Sequence, residues 1–315
     1  MVDVFLKTEQ NTSKSIVYKT GIATDLALYV DAKKPVLFIT PLESPKTTII
    51  TKDFTKKDVV SKLKKYKEVG LVYGELTASE LQFFKKNLKG VKLKDISEKI
   101  SKERSVKTLK EIATIKKAVA ITEDILQEMF DNFNIFKTEF DVAVFLKKAC
   151  INRGVTWSFE PIVASGKHAK LPHYHPGKNT PLQKGFCIID FGIVYNNYCS
   201  DMTRTIYVGT PSQKELDFYE KILSGLKKVE QEAKPGVVLK TPFTMIHALG
   251  HGVGLDVHES PNLHCDSLKE NMVIALEPAQ YDPFGVRIED DYVITKKGAK
   301  RLGKLSRALK VYNKK

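Results

Sequence analysis

Asp190-Phe-Gly-Ile-Val-Tyr-Asn-Asn-Tyr-Cys-Ser-Asp201 begins and ends on a carboxylate, with strand-like residues on both flanks and turn residues at Tyr195-Asn196-Asn197. A β-hairpin is the simplest reading, because Asn adopts the backbone conformations that a tight turn demands. Setting Asp190 opposite Asp201 centres the turn between Tyr195 and Asn196 and brings their Cβ atoms about 5 Å apart. Two carboxylates at that separation repel one another unless positive charge lies between them. A divalent cation supplies it. Taken by itself, the stretch reads more readily as two solvated carboxylates at a hairpin rim.

Further along, His247-Ala-Leu-Gly-His251-Gly-Val-Gly-Leu-Asp-Val-His258-Glu259 sets three imidazoles among Gly250, Gly252 and Gly254. Glycine lets backbone and ligand approach closely. One histidine here would read as a packed residue; three interleaved with glycines read as a site. A zinc helix of the H-E-x-x-H kind would need histidine at position 262, which is Asn262, and Pro261 would break the helix. A dinucleotide loop would need G-x-G-x-x-G, whereas these glycines run G-x-G-x-G.

Two more carboxylates sit on apolar strands, in Met272-Val-Ile-Ala-Leu-Glu277-Pro and in Gly285-Val-Arg-Ile-Glu289-Asp-Asp. Burying a carboxylate is costly unless it is paired or metal-bound. The plain alternative for Glu289 is an ion pair with Arg287. Together Asp190, Asp201, His251, Glu277 and Glu289 form a hard oxygen and nitrogen donor set without thiolate. Such a set favours Mn, Co, Fe or Zn over a cysteine-based structural zinc. Four carboxylates exceed the charge of one divalent ion, so two ions with shared carboxylates are the electrostatic solution. That arrangement suits hydrolysis, since water between two ions loses its proton near neutral pH.

The rest of the chain frames this region. Its 315 residues suit two domains, and 42% hydrophobic with 28% charged residues marks an ordinary folded protein. No apolar run approaches the length of a membrane span, and the first ten residues lack the pattern of a secretory signal. Cys150, Cys187, Cys199 and Cys265 form no Cys-x-x-Cys and no disulfide framework, so a cytoplasmic setting is expected. The net charge is +14, but only six of the 51 cations are Arg. Solvated lysine, rather than a nucleic-acid surface, is the first explanation. All seven histidines lie beyond residue 160.

Before them, Val36–Thr40, Thr47–Ile50 and Val69–Tyr73 read as strands, and 58–66 and 78–88 as helices. This is a small α/β domain over residues 1–104. Residues 105–315 then begin with a long amphipathic helix capped by Thr108 and Glu111. Helices over Glu139–Asn152 and 213–233 follow, separated and trailed by strands, for an α+β chain overall.

The order Asp190, Asp201, His251, Glu277, Glu289, with its DFG, YCSDMTRT, GHGVGLDVHE, EP and VRIED surroundings, closely resembles the pita-bread metallopeptidases. These include Xaa-Pro dipeptidases, aminopeptidases P, creatinases and methionine aminopeptidases. The resemblance spans about residues 104 to 300, and the preceding α/β domain matches the first two of these groups. It implies that Asp190 holds one metal, that Asp201 and Glu289 bridge, and that His251 and Glu277 hold the second, with Mn or Co favoured. Glu277 would also shuttle the proton. His173 would lie beside the scissile bond, and His258 would stabilise the tetrahedral intermediate. On the substrate side, His247 would line the pocket, and Arg287 and Tyr281 would brace the cluster. His168, His175 and His264 have no counterpart.

Two departures from the family pattern stand out. Only Val237–Ile246 separates Pro235-Gly236 from the histidines, about one helix short. Position 262 is Asn, where prolidases often carry an Arg for the dipeptide carboxylate. The sequence therefore points to a dinuclear Xaa-Pro hydrolase, a prolidase first and an aminopeptidase P second, acting on small peptides as a homodimer. A catalytically silent pita-bread binding protein is the alternative from another class; retention of all five ligands argues against it.

Overall fold

Thr77 with Glu80, Thr108 with Glu111 and Thr138 with Asp141 start three helices in the same way: the threonine oxygen accepts the third residue's N–H, and that residue's carboxylate accepts the threonine N–H. The computed structural model describes residues 1–8, 10, 13–40, 47, 49–53 and 55–313. It divides into two units, Met1–Arg104 and Ser105–Lys315.

The first unit is built on a six-stranded mixed sheet ordered Ile50–Asp53, Val36–Ile39, Ala27–Asp31, Val2–Lys7, Glu68–Leu71, Lys92–Asp95. Along Val2–Lys7 the side chains alternate. Val4 and Leu6 join one buried cluster with Phe38, Leu63 and Phe84, while Phe5 joins a second with Ile16, Leu37 and Ile100. Of the expected strand at Thr47–Ile50, Thr48 lies outside the described residues, and the strand occupies Ile50–Asp53. The strand expected over Val69–Tyr73 ends at Leu71, because Tyr73–Glu75 turns into a 3₁₀ helix. The polar stretch Ser97–Ser105 is itself a helix that buries Ile100.

In the second unit the helix Leu109–Asp131 buries Ile115, Val119, Leu126 and Met129 completely, as its spacing predicts. With Glu139–Asn152 it covers one core cluster; helix Gln213–Glu232 covers another. Two sheets supply both clusters. One is ordered Val311–Tyr312, Met202–Val208, Gly185–Phe191, Ile162–Ser165. The other runs Glu259–Asn262, Gly250–Gly252, Val273–Leu276, Asp290–Thr295, Gly298–Arg301. Alternate residues of each strand serve opposite clusters: Cys187 and Ile189 against Phe186 and Ile188, Val273 and Ala275 against Ile274 and Leu276. No helix among the described residues is long and apolar enough to cross a membrane. None forms between Ala233 and Gly250.

Candidate metal centre

The two sheets meet where the Glu289 N–H donates to the Thr203 carbonyl at 3.1 Å. Asp190 is the penultimate residue of strand Gly185–Phe191, and Asp201 immediately precedes strand Met202–Val208. His251 sits mid-strand in Gly250–Gly252, Glu277 follows Val273–Leu276, and Glu289 precedes Asp290–Thr295. The hairpin register differs from the sequence expectation by two residues. Asp190 pairs with Thr203, and Val194 with Cys199, so the turn is Asn196-Asn197 rather than Tyr195-Asn196. Both asparagines take positive φ, 47° and 70°, as a two-residue turn of the tightest kind requires. Because the shift is even, Asp190 and Asp201 still belong to one face.

Ligand-capable atoms of Asp190, Asp201 and Glu289 lie within 4.8 Å of one another, as do those of His251, Glu277 and Glu289. A third such group joins Asp201, His251 and His258. Around His251 Nε2 stand Asp201 Oδ2 at 3.5 Å, Glu277 Oε1 at 3.7 Å and Glu289 Oε1 at 3.9 Å. The other ring nitrogen, Nδ1, is 3.1 Å from the Gly252 carbonyl, which can only accept, so Nδ1 carries the proton. Burial pushes the His251 pKa down to about 4, with the neighbouring His258 acting in the same direction. The ring is therefore neutral at neutral pH, and its Nε2 lone pair faces oxygens that are themselves acceptors.

That convergence fits divalent cations. Asp190 Oδ1, Asp201 Oδ1 and Glu289 Oε1 are buried with no hydrogen-bond partner. An oxygen so placed forfeits its hydration without compensation. Burial and the neighbouring carboxylates raise the Asp201 and Glu289 carboxyls well above the usual range, and burial brings Glu277 to about 7. Positive charge at this point would reverse all three shifts.

Arg287 does not pair with its sequence neighbour Glu289. Its Nη2 donates to Asp190 Oδ2 at 2.7 Å and its Nη1 to the Tyr281 hydroxyl at 2.8 Å. Burial opposes the Arg287 charge, but Asp190, Tyr281, Glu289 and Glu277 together more than offset it and raise the pKa. Tyr281 Oη also lies 3.0 Å from His247 Nε2, so one chain of contacts runs Asp190, Arg287, Tyr281, His247. Arg287 is 3% exposed and Tyr281 8%; both serve the cluster from behind.

A cavity of about 690 Å³ opens over these groups, lined by the five candidate ligands together with His173, His247, His258, Asn262 and Arg287. The rings of His251 and His258 meet edge to face at 4.2 Å. Burial lowers the pKa of both His258 and His247. His175 and His264 also line this cavity, although the sequence suggested no place for them. His168 is elsewhere, stacked on Tyr174 at 4.4 Å and 3.0 Å from the buried Glu139 carboxylate. Asn262 closes its own turn, its Oδ1 accepting the His264 N–H at 3.0 Å and its N–H donating to Asp266 at 2.8 Å.

Two supporting residues escaped the sequence reading. The Thr203 hydroxyl donates to Glu289 Oε2 at 2.7 Å and accepts from Arg287 Nε at 3.1 Å. Asp291 Oδ2 accepts the Asp201 N–H at 2.9 Å. Both lie within strands whose composition alone reads as packing.

The family model for metallopeptidase family M24 matches residues 113–296. An Xaa-Pro dipeptidase of Pyrococcus furiosus is 34% identical over 90% of this chain and 88% of its own length. One from Pyrococcus horikoshii is 33% identical over 93% and 91%. Among solved structures, an X-Pro aminopeptidase from Thermotoga maritima superposes with a TM-score of 0.89 at 28% identity, covering 99% of this chain and 98% of that one. The prolidase from Pyrococcus horikoshii gives 0.88 at 30%, covering 98% and 95%. With the α+β pita-bread architecture and a metal-ready acidic cluster inside the matched segment, this chain belongs to metallopeptidase family M24.

Proposed function

We propose that the chain is a dinuclear metal-dependent peptidase that hydrolyses Xaa-Pro bonds, first of all as an Xaa-Pro dipeptidase. One observation carries this reading: a neutral His251 lone pair and partnerless carboxylate oxygens converge in the wall of a peptide-sized cavity. Asp190, Asp201 and Glu289 would hold one ion, and His251 and Glu277 the other together with Asp201 and Glu289, which the two would share. The hard donors favour Mn or Co. When bound, such ions supply Lewis acidity toward the scissile carbonyl and make a nearby water acidic near neutral pH.

The residues of the chain do the rest. Glu277, whose carboxylate lines the cavity, takes the proton of the attacking water and returns it to the leaving nitrogen. His258, its pKa lowered by burial, is a neutral ring whose N–H donates to the developing oxyanion. His173 stands beside the scissile bond, and His247 bounds the pocket. The Xaa-Pro bond is a tertiary amide without an N–H, so a site that polarises the carbonyl directly suits it. Homologues named Xaa-Pro dipeptidase support the substrate class. Position 262 holds an Asn engaged in its own turn instead of an Arg for a dipeptide carboxylate, which favours longer Xaa-Pro peptides as the second reading, an aminopeptidase P activity. A homodimer in the cytoplasm completes the proposal.

The test is to strip the protein of metal, reload it with Mn, Co or Zn, and offer Ala-Pro, Ala-Pro-Ala and Ala-Ala. Ala-Pro should be cleaved with at least one ion and not without. Preference for Ala-Pro-Ala selects the aminopeptidase reading. No cleavage with any ion sinks both.

A further inference from the structure

Lys107 stands at the start of the second unit with its side chain only 1% exposed. An ammonium is rarely taken so far from water without a dedicated partner. Its Nζ lies 2.9 Å from Glu259 Oε1 and donates to the Ser105 carbonyl at 3.3 Å. Its own N–H is tied to the Asn271 carbonyl at 2.9 Å, so the backbone at this point does not wander.

The partner is placed as carefully as the lysine. Glu259 directly follows His258, and its second oxygen accepts the Asp256 N–H at 3.3 Å. It packs onto Gly254 so tightly that a Cβ there would stand 2.3–2.8 Å from the carboxyl group. The Gly254 carbonyl in turn accepts the Cys199 N–H at 2.7 Å. The carboxylate therefore fills the loop between His251 and His258.

We propose that Lys107 is a positioning residue of the hydrolytic site, holding the loop from His251 to His258 through Glu259. One compact ammonium with three donors serves both Glu259 and the Ser105 carbonyl, where a planar guanidinium would be committed to one fork. The inference rests on the peptidase reading for the role of His258, and its test separates the two.

Kinetics of the Co-loaded enzyme on Ala-Pro form the first arm. Lys107→Met should lower kcat about 10²-fold, as a displaced catalytic group does, with KM changed by less than about threefold. Lys107→Arg should recover part of the loss. In a His258→Ala background, Lys107→Met should cost less than about threefold, because the group it positions is already gone. Lys107→Met takes the ammonium away from the buried Glu259 carboxylate and can fail to fold, so the doubly neutral Lys107→Met/Glu259→Gln is measured beside it and should show the same kcat loss.

The second arm needs no turnover: the double variant should bind Co about tenfold more weakly and show a changed visible absorption of the bound ion. Equal kcat loss in both backgrounds overturns the proposal, and so does an unchanged Co affinity and spectrum. A wild-type protein that cleaves no peptide overturns the peptidase reading alone, and the Co titration then decides the role of Lys107.

Discussion

Thr203 works for the acidic cluster with a single hydroxyl, donating to Glu289 Oε2 and accepting from Arg287 Nε. Without it, Glu289 would have a second buried oxygen lacking a partner beside Oε1. Removing such support around metal ligands costs about 10–100-fold in affinity. Thr203→Val is nearly isosteric, so the fold should persist while Mn affinity, measured by calorimetric titration, falls by that factor. Thr203→Ser should retain most of it. Equal affinity in all three proteins would show that the hydroxyl only fills space. Four of the six arginines serve buried carboxylates here: Arg287 bonds to Asp190, and Arg204, Arg301 and Arg307 converge on Asp290. Arg204 also donates to the carbonyls of Thr203 and Glu289 at 2.8 and 2.7 Å, fixing the backbone on both sides of the cluster.

At the scale of elements, the strands Gly250–Gly252 and Glu259–Asn262 can pair closely only because Gly252 lacks a side chain. A Cβ there would stand 2.2 Å from the Ser260 carbonyl oxygen. The obstacle is backbone, which cannot swing aside as a flexible side chain would. Gly252→Ala should therefore destabilise the protein by about 1–3 kcal/mol. The accompanying displacement of the adjacent His251 should weaken metal binding. Urea unfolding and the same titration measure both effects. A variant as stable as wild type, with unaltered affinity, would rule out the close approach. The spacing of these glycines was legible in the sequence, but the atom each one avoids was not, since that atom comes from the next strand.

Over the whole molecule, the charge in the cluster sets a pH dependence for the metal-free protein. Folded Asp201, Glu277 and Glu289 carboxyls are raised chiefly by burial, Glu277 to about 7. Between the unfolded carboxylate range and these raised values, the folded state binds more protons than the unfolded one, so stability falls as pH rises. The contribution is complete below about pH 4 and, for Glu277, is lost as pH passes its folded value of about 7. Metal-free protein should melt at lower temperature at pH 8 than at pH 5. Divalent ion at one hundred times its Kd should add about 2.7 kcal/mol, and most at the higher pH, where the carboxylates are ionised. Thermal melts with and without Mn check both statements. A metal-free protein that gains stability from pH 5 to pH 8 would contradict them. The formal charge of +14 is silent about this site, because lysine outside it carries most of the excess.

The sequence by itself determined which residue types could act, since carboxylates ending apolar strands and histidines set among glycines have few inexpensive uses. It determined the start of the long helix at Leu109 too, because the Thr108–Glu111 capping box is local, and it singled out the five donors that the fold brings together. Tertiary structure alone decided the turn at Asn196-Asn197, the pairing of Arg287 with Asp190 rather than Glu289, and the recruitment of Thr203, Asp291 and Lys107. The reason is physical: a partner 80 or more positions away is chosen by how two sheets and their bulges meet. Local propensity and side-chain periodicity carry no record of that meeting.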